Sequence, residues 1–311
     1  MLKVGFVGIG SIAKRHIKNL VEICDLQKEE IQIDLYRSGQ GGILPKNIEQ
    51  VISNVYDIAF PVAEFYDAVF ITNPTSLHYQ TILYFQEHTR AFFIEKPVFD
   101  KLDLDFSRIS GNNIFYVACP LRYTSVIQYL KSNIDVRKVY SVRAISSSYL
   151  PDWRPGVDYR TTYSAHKEMG GGVAIDLIHE WDYLTYLFGV PQRVMTMQKK
   201  VSALDINSDD IALYLAECNN TLIEIHLDYF GRKSIRQIEL FTEDETILGD
   251  LIENEVTYLK ANHKISFKQE RNDYQKEELK YFLNLLYEDK QSENNLFHAC
   301  KVLKLAKGET E

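Results

Sequence analysis

Paired cysteines are missing from this 311-residue chain. Its four, Cys24, Cys119, Cys218 and Cys300, stand far apart, with no C-x-x-C and no neighbouring Cys/His ligand spacing. That argues against a disulfide framework and against a metal centre, and the reading is four buried free thiols and no metal. Long apolar runs are missing as well: none approaches the length that spans a bilayer, and the first residues read as a strand rather than a secretory leader. A soluble, cytoplasmic protein with no membrane partner is the expectation. There is no basic surplus either. The net charge is −8, from 35 Lys and Arg against 43 Asp and Glu, and the acid is spread rather than blocked, which argues against a nucleic-acid or anionic-lipid partner. No internal repeat and no low-complexity segment is found. What remains is a chain with 45% apolar residues, enough to fill cores, and a length that exceeds a typical single domain.

The most informative stretch is residues 3–16, KVGFVGIGSIAKRH. Residues 3–7 read as a buried strand and are followed at once by Gly8-Ile9-Gly10. From Ser11 the apolar positions Ile12, Ile17, Leu20 and Val21 take helical spacing. Strand, glycine turn and helix together suit a dinucleotide: Gly8 permits the tight turn, Gly10 lets the backbone approach a pyrophosphate, and Ala13 lets helix and strand pack closely. The N–H groups that open the helix at Ser11 and Ile12 face the phosphates. Residues 30–36 (EIQIDLY) make a second parallel strand, and Arg37-Ser38 stand where an acidic residue would take a ribose 2′-hydroxyl. An arginine there accommodates a 2′-phosphate, so NADP(H) is favoured, with NAD(H) as the alternative. Residues 39–42, three of them glycine, read as a mobile loop.

Further buried strands are expected at 67–72, 91–94 and 114–119. The first ends in Asn73-Pro74-Thr75, where Thr75 or Ser76 could cap the next helix. In an open parallel sheet ligands bind outside the carboxyl ends of the strands, which places Thr72, Asn73, Pro74 and His78 near the cofactor. The second strand delivers Glu95-Lys96-Pro97 to the same rim, and the third delivers Pro120-Leu121-Arg122-Tyr123. These elements form an α/β Rossmann domain over residues 1–122.

From residue 123 to 311 the pattern changes. Strand candidates at 138–149, 193–201, 210–217, 221–229 and 235–242, with shorter ones at 245–250 and 256–259, predict an α+β domain built on a mostly antiparallel open sheet. Inside it lies GGGVAIDLIHEWDYLTYLFG, residues 170–189. Three glycines make a close-approach turn, and one helix is predicted from there to Phe188, with Gly189 as its C-cap. At about 100° per residue, Asp176, His179, Glu180 and Tyr183 share a polar face, while Val173, Leu177, Trp181, Leu184 and Phe188 form the packing face. Upstream, Trp153, Tyr159 and Arg160 sit in a stretch rich in aromatic and polar groups that suits a carbohydrate-like ligand or, equally, packing between domains. Residues 273–287 and 294–305 read as helices, which could pack back on the first domain.

Glu95-Lys96-Pro97 at a strand end, downstream of G-x-G-x-x-A, resembles the glucose-fructose oxidoreductase, inositol dehydrogenase and MocA family. The resemblance implies an NAD(P)-dependent oxidoreductase that transfers hydride between nicotinamide and a secondary alcohol or ketone of a sugar, nucleotide sugar or nonulosonic-acid-like substrate. It also implies roles. Lys96 would stand near the nicotinamide and hydrogen-bond a substrate hydroxyl, His179 would be the acid/base, and Asp176 would bind substrate or orient His179. Arg122 and Tyr123 resemble a substrate-facing turn, although Pro120 replaces its usual polar residue, and Tyr183 would complete the substrate side. The spacing here is D-x-x-H, one residue shorter than the family's D-x-x-x-H. A homodimer or homotetramer is expected. Two other classes share these features: a redox-assisted glycosidase or eliminating enzyme with tightly bound NAD, and a non-enzymatic dinucleotide sensor.

Overall fold

In the computed structural model, which describes residues 1–38 and 43–309, the N-terminal apolar run is strand β1 (Leu2–Val7), and helix α1 (Ser11–Gln27) comes after the glycines. Residues 39–42, a loop by their sequence, lie outside the described residues. The chain divides into two compact units, Met1–Ala118 with Arg271–Cys300, and Cys119–Glu270 with the residues from Lys301 on.

In the first unit, β1 and α1 are succeeded by β2 (Ile31–Arg37), α2 (Lys46–Glu49), β3 (Asn54–Asp57), β4 (Tyr66–Ile71), α3 (His78–Phe85), β5 (Thr89–Ile94) and β6 (Ile114–Val117). The six strands form one parallel sheet in the order β3-β2-β1-β4-β5-β6. This is the Rossmann order. The central strands read as unbroken apolar runs because both faces are covered. Phe70 stacks between Phe6 at 4.5 Å and Phe93 at 4.9 Å. Register aligns the strand ends: Val7 lies beside Tyr36 and Ile71, Ile71 beside Ile94, and Ile94 beside Val117. The loops that leave these strand ends therefore all emerge on one rim. Strand β3 and helix α2 were not expected from sequence; each is four residues long and offers too few buried positions to show a period. The expected cap at Thr75 or Ser76 is not made. Those residues form a 3-10 turn, and α3 begins after Leu77 with no side-chain cap.

The second unit contains α4 (Ser125–Asn133), β7 (Val139–Tyr149), α5 (Val173–Asp176), α6 (His179–Phe188), β8 (Arg193–Lys199), β9 (Ile211–Cys218), β10 (Thr221–Asp228), β11 (Phe230–Thr242), β12 (Thr246–Asp250), β13 (Glu255–Tyr258) and β14 (His263–Ser266). Its eight strands are ordered β14-β13-β12-β11-β7-β10-β9-β8, antiparallel except for β7 and β10. One face of this sheet carries Ala212, Tyr214, Ala216, Ile223, Ile225, Val142, Ala144, Ile238 and Leu240, all buried. Trp181 of α6 meets Tyr214 edge-on at 5.1 Å and is wholly buried, a burial that stabilises by about 2–3 kcal/mol.

The long helices α7 (Arg271–Glu288) and α8 (Leu296–Lys307) close the chain. Phe282 of α7 meets Phe70 and Phe93 of the first unit edge-on at 5.6 and 5.3 Å. The end of α8 belongs to the second unit, where the carbonyl of Ala306 accepts hydrogen bonds from Tyr214 Oη (2.6 Å) and Gln198 Nε2 (2.7 Å). All four cysteines are buried and none is in a disulfide, and burial pushes the Cys24 thiol up to about 11. Among the described residues no helix is long and apolar enough to cross a membrane.

Candidate active site

The glycine loop is built by close approach. Gly8 has φ +90°, and a Cβ there would stand 2.9 Å from the backbone N and Cα of Asn73, so no other residue fits. Thr72 Oγ1 donates to the carbonyls of Val7 (2.9 Å) and Gly8 (3.2 Å), and Gly8 N donates to Tyr36 O (3.0 Å). Three strand ends are thereby tied into one rim. At Gly10 the situation reverses: a Cβ would meet nothing within 4 Å. The N-terminus of α1 has no side-chain cap and no acidic residue in its first turn, so its N–H groups and the positive end of its dipole are aimed at open space. Ala13 is wholly buried. These residues fit a dinucleotide pyrophosphate at Gly10, Ser11 and Ile12. Arg37 ends β2 and Ser38 comes next, on the same rim as Gly8.

Glu95-Lys96-Pro97 leaves that rim from β5. Glu95 still belongs to the ladder, its N–H donating to Ile71 O at 3.0 Å. Its carboxylate Oε1 faces His16 Nε2 at 2.6 Å, and Oε2 accepts from the Lys96 N–H at 3.3 Å. Burial would push this carboxyl up, but the His16 hydrogen bond and the Lys96 charge outweigh it and hold it below the usual range. His78 points inward rather than to the rim surface. It is 1% exposed, with Nδ1 at 3.0 Å from Val98 O and Nε2 at 3.1 Å from Asn73 O. Its ring joins the loop after β4 to the loop after β5, and burial pushes its pKa down. Asn73 Nδ2 donates to Thr81 Oγ1 at 2.8 Å.

In the second unit the expected single helix is two. Asp176 ends α5, Leu177 and Ile178 form a turn, and His179 opens α6. The shared polar face does not survive this break. Asp176 is 6% exposed and receives two phenol hydroxyls, from Tyr163 on Oδ1 and Tyr229 on Oδ2, at 2.5 Å each. Burial and the carboxylate together push both phenols far up, so both remain donors. Trp153 lies edge-on to Tyr229 at 5.2 Å and donates Nε1 to Ser148 Oγ at 2.9 Å. His179 is half-buried. Gly171 explains the glycine run: a Cβ there would stand 2.0 Å from the Tyr163 carbonyl oxygen. The close-approach turn thus seats the 163–166 loop, and with it Tyr163.

The other candidates are engaged as follows. Glu180, wholly buried, pairs with Arg236 at 2.8 Å. Tyr183 is wholly buried. Arg122, 5% exposed, is forked onto Asp182 through Nε (2.9 Å) and Nη2 (2.8 Å) and lies over the Tyr186 ring. Tyr123 gives its carbonyl to Gln269 Nε2 at 3.2 Å. Arg160 is exposed and paired with Asp158 at 2.7 Å, while Tyr159 Oη accepts from Asp205 N at 3.1 Å. Sequence reasoning missed His16 and Tyr229. His16 had a signal, its phase with Ala13, Ile17 and Leu20 on the buried face of α1. Tyr229 had none. Among the described residues no cluster of His, Cys, Asp or Glu could hold a metal ion.

A Rossmann sheet with an open phosphate cradle, followed by an α+β unit on an open sheet, defines a fold built to hold a dinucleotide. The family model for the glucose-fructose oxidoreductase, inositol dehydrogenase and MocA proteins, described as an oxidoreductase family with an NAD-binding Rossmann fold, matches residues 2–104. An uncharacterized oxidoreductase of Bacillus subtilis, YrbE, is 24% identical over 193 residues, 60% of this chain and 53% of the relative. The match therefore spans about half the length of that curated relative. UDP-N-acetylglucosamine 3-dehydrogenase of Acidithiobacillus ferrooxidans superposes with a TM-score of 0.74 at 18% identity, covering 99% of this chain and 96% of that one. Levoglucosan dehydrogenase, in a complex with NADH, superposes with a TM-score of 0.80 at 14% identity, covering 98% and 95%. At these identities the likeness is one of fold.

Proposed function

We propose that this protein is an NADP(H)-preferring oxidoreductase that interconverts a secondary alcohol and a ketone on a sugar, nucleotide sugar or nonulosonic-acid-like substrate. The observation that carries the reading is the rim of the first unit, where the glycine loop, Thr72-Asn73 and Glu95-Lys96 are tied together by hydrogen bonds around an open cradle at Gly10. The named activities of the superposing dehydrogenases support the substrate class. When bound, the nicotinamide supplies the hydride acceptor or donor. His179 removes the hydroxyl proton in the oxidative direction and returns it in the other, its ordinary pKa lying near working pH. The Lys96 ammonium compensates the charge that grows on the substrate oxygen. Asp176, held by two phenols, is a fixed acceptor for a substrate hydroxyl or for His179.

The test is a screen of oxidised and reduced dinucleotides against sugars, nucleotide sugars and nonulosonic acids, read by nicotinamide absorbance. Lys96→Ala should lower turnover by about 100-fold or more while dinucleotide affinity changes little. Wild-type turnover in that variant refutes the assignment. Product formed with no net absorbance change would instead point to redox-assisted bond cleavage.

We further infer that the protein works as a homo-oligomer joined through the uncovered face of the second sheet. Met195, Met197, Leu213, Leu215 and Leu222 are exposed there. Beside them Arg143 sits across from Glu224 and Glu239, and Arg193 across from Glu217. Apolar rows with balanced charge are complementary to their own copy turned about a two-fold axis.

A further inference from the structure

We propose that the buried pair His16 and Glu95 is a positioning device for Lys96: a histidine on the helix of the glycine loop fixes, through one carboxylate, where the Lys96 amine stands and how firmly it keeps its proton. The proposal rests on the assignment of Lys96 as the group that stabilises the substrate oxygen. Strand β5 ends at Ile94, Glu95 N–H makes one more bond to Ile71 O, and the chain has left the ladder by Lys96. Two side chains from different helices hold the segment 95–98. His78 of α3 takes Val98 by its carbonyl, and His16 of α1 takes Glu95 by Oε1, whose other oxygen receives the Lys96 N–H. Lys96 lies between these two anchors.

The surroundings of His16 decide its tautomer. The ring is 1% exposed and sits edge-on to Phe93 at 4.9 Å, with Phe70 at 6.2 Å. Nδ1 is buried with no hydrogen-bond partner among the described residues. Nε2 is therefore the atom that donates, and Glu95, whose carboxyl is held below the usual range despite its burial by that bond and by the charge of Lys96, keeps a negative charge next in the chain to Lys96. That charge favours the protonated amine, the form that stabilises an alkoxide. Other ionisable groups on the elements packed here include His78 on α3, Asp100 in the loop beyond Val98, the Glu22–Lys276 pair between α1 and α7, and Glu278 on α7, which accepts from Tyr116 Oη at 3.1 Å. They surround wild type and variants alike.

Glu95→Gln separates positioning from mere structure, because the amide oxygen still accepts from His16 while the charge is gone. The full-length variant should fold and bind dinucleotide within about threefold of wild type, with turnover lowered about tenfold or more. The alkaline limb of its kcat profile should move down by about one pH unit. The Lys96 amine, observed by NMR after reductive methylation, should titrate lower by the same amount, a readout independent of turnover. His16→Gln restores a donor near Nε2 and should keep more turnover than His16→Leu. An unchanged alkaline limb and amine titration in Glu95→Gln, or a loss confined to dinucleotide affinity, overturns the proposal. Wild-type turnover in Lys96→Ala would overturn the catalytic assignment of Lys96 instead, and the amine titration would still test the pair.

Discussion

Arg37 and His78 belong to the loops of the same rim and differ in burial, one half-buried at the end of its strand and the other sealed inside. Arg37 ends β2, whose preceding residue, Tyr36, receives the Gly8 N–H. A guanidinium there can fork onto a 2′-phosphate, a charged contact worth about 1.5–3 kcal/mol. Arg37→Ala should therefore weaken NADP(H) by about 10–100-fold while NAD(H) changes little, as read by fluorescence titration; equal losses for both would remove the 2′-phosphate assignment. His78 is neutral in the fold because burial pushes its pKa below the ordinary 6.5, against the pull of two carbonyls. The unfolded chain then binds the extra proton, so this site's contribution is full above pH 6.5 and falls as pH drops below it. His78→Gln should lower the melting temperature near neutrality and flatten its fall below pH 6.5. A fall as steep as in wild type would show that other groups govern that window.

The glycine turn before α5 is the element that seats Tyr163 against Asp176. A methyl at Gly171 would meet the Tyr163 carbonyl at 2.0 Å, and the loop must move to admit it. Gly171→Ala should cost about 2 kcal/mol or more and displace Tyr163 from Asp176, lowering turnover more than dinucleotide affinity; an unaltered enzyme would mean the loop yields freely. Elements whose cause is local were legible in the sequence: the strand, glycine turn and α1, the parallel strands with continuous apolar cores, and the alternating β9 and β10. Others were not. Strands β3 and β14 are four residues long and largely exposed, so burial leaves no alternation to read. The break at Leu177-Ile178 interrupts a run whose apolar spacing fits one helix, because what bends it is the docking of Asp176 onto Tyr163 and Tyr229, 13 and 53 residues away. The sequence offers Arg122 as a ligand contact but gives no sign that it also forks onto Asp182, 60 residues on. Pairs of that separation are set by the fold and leave no mark at either position.

For the molecule as a whole, the unsatisfied surface is the outer face of the eight-stranded sheet. Alternation along β9 and β10 puts Ala212, Tyr214, Ile223 and Ile225 inside, and Leu213, Leu215 and Leu222 outside, with Leu215 59% and Leu222 62% exposed. A sheet that faced only water on that side would carry polar residues there. Instead β8 brings Met195 beside Leu215 and Met197 beside Leu213, extending the apolar patch to the sheet edge. Such a patch on a chain of net charge −8 must overcome like-charge repulsion to pair with itself. The alternation of Arg143 and Arg193 with Glu217, Glu224 and Glu239 supplies local attraction, and a stable pair needs about 800 Å² from each copy. Leu215→Glu combined with Leu222→Glu adds four charges to a two-fold interface without touching the buried face. Light scattering after gel filtration should then show wild type at a multiple of 36.1 kDa and the variant at the monomer mass, with dinucleotide binding retained. A variant that keeps the wild-type mass would move the contact to another surface.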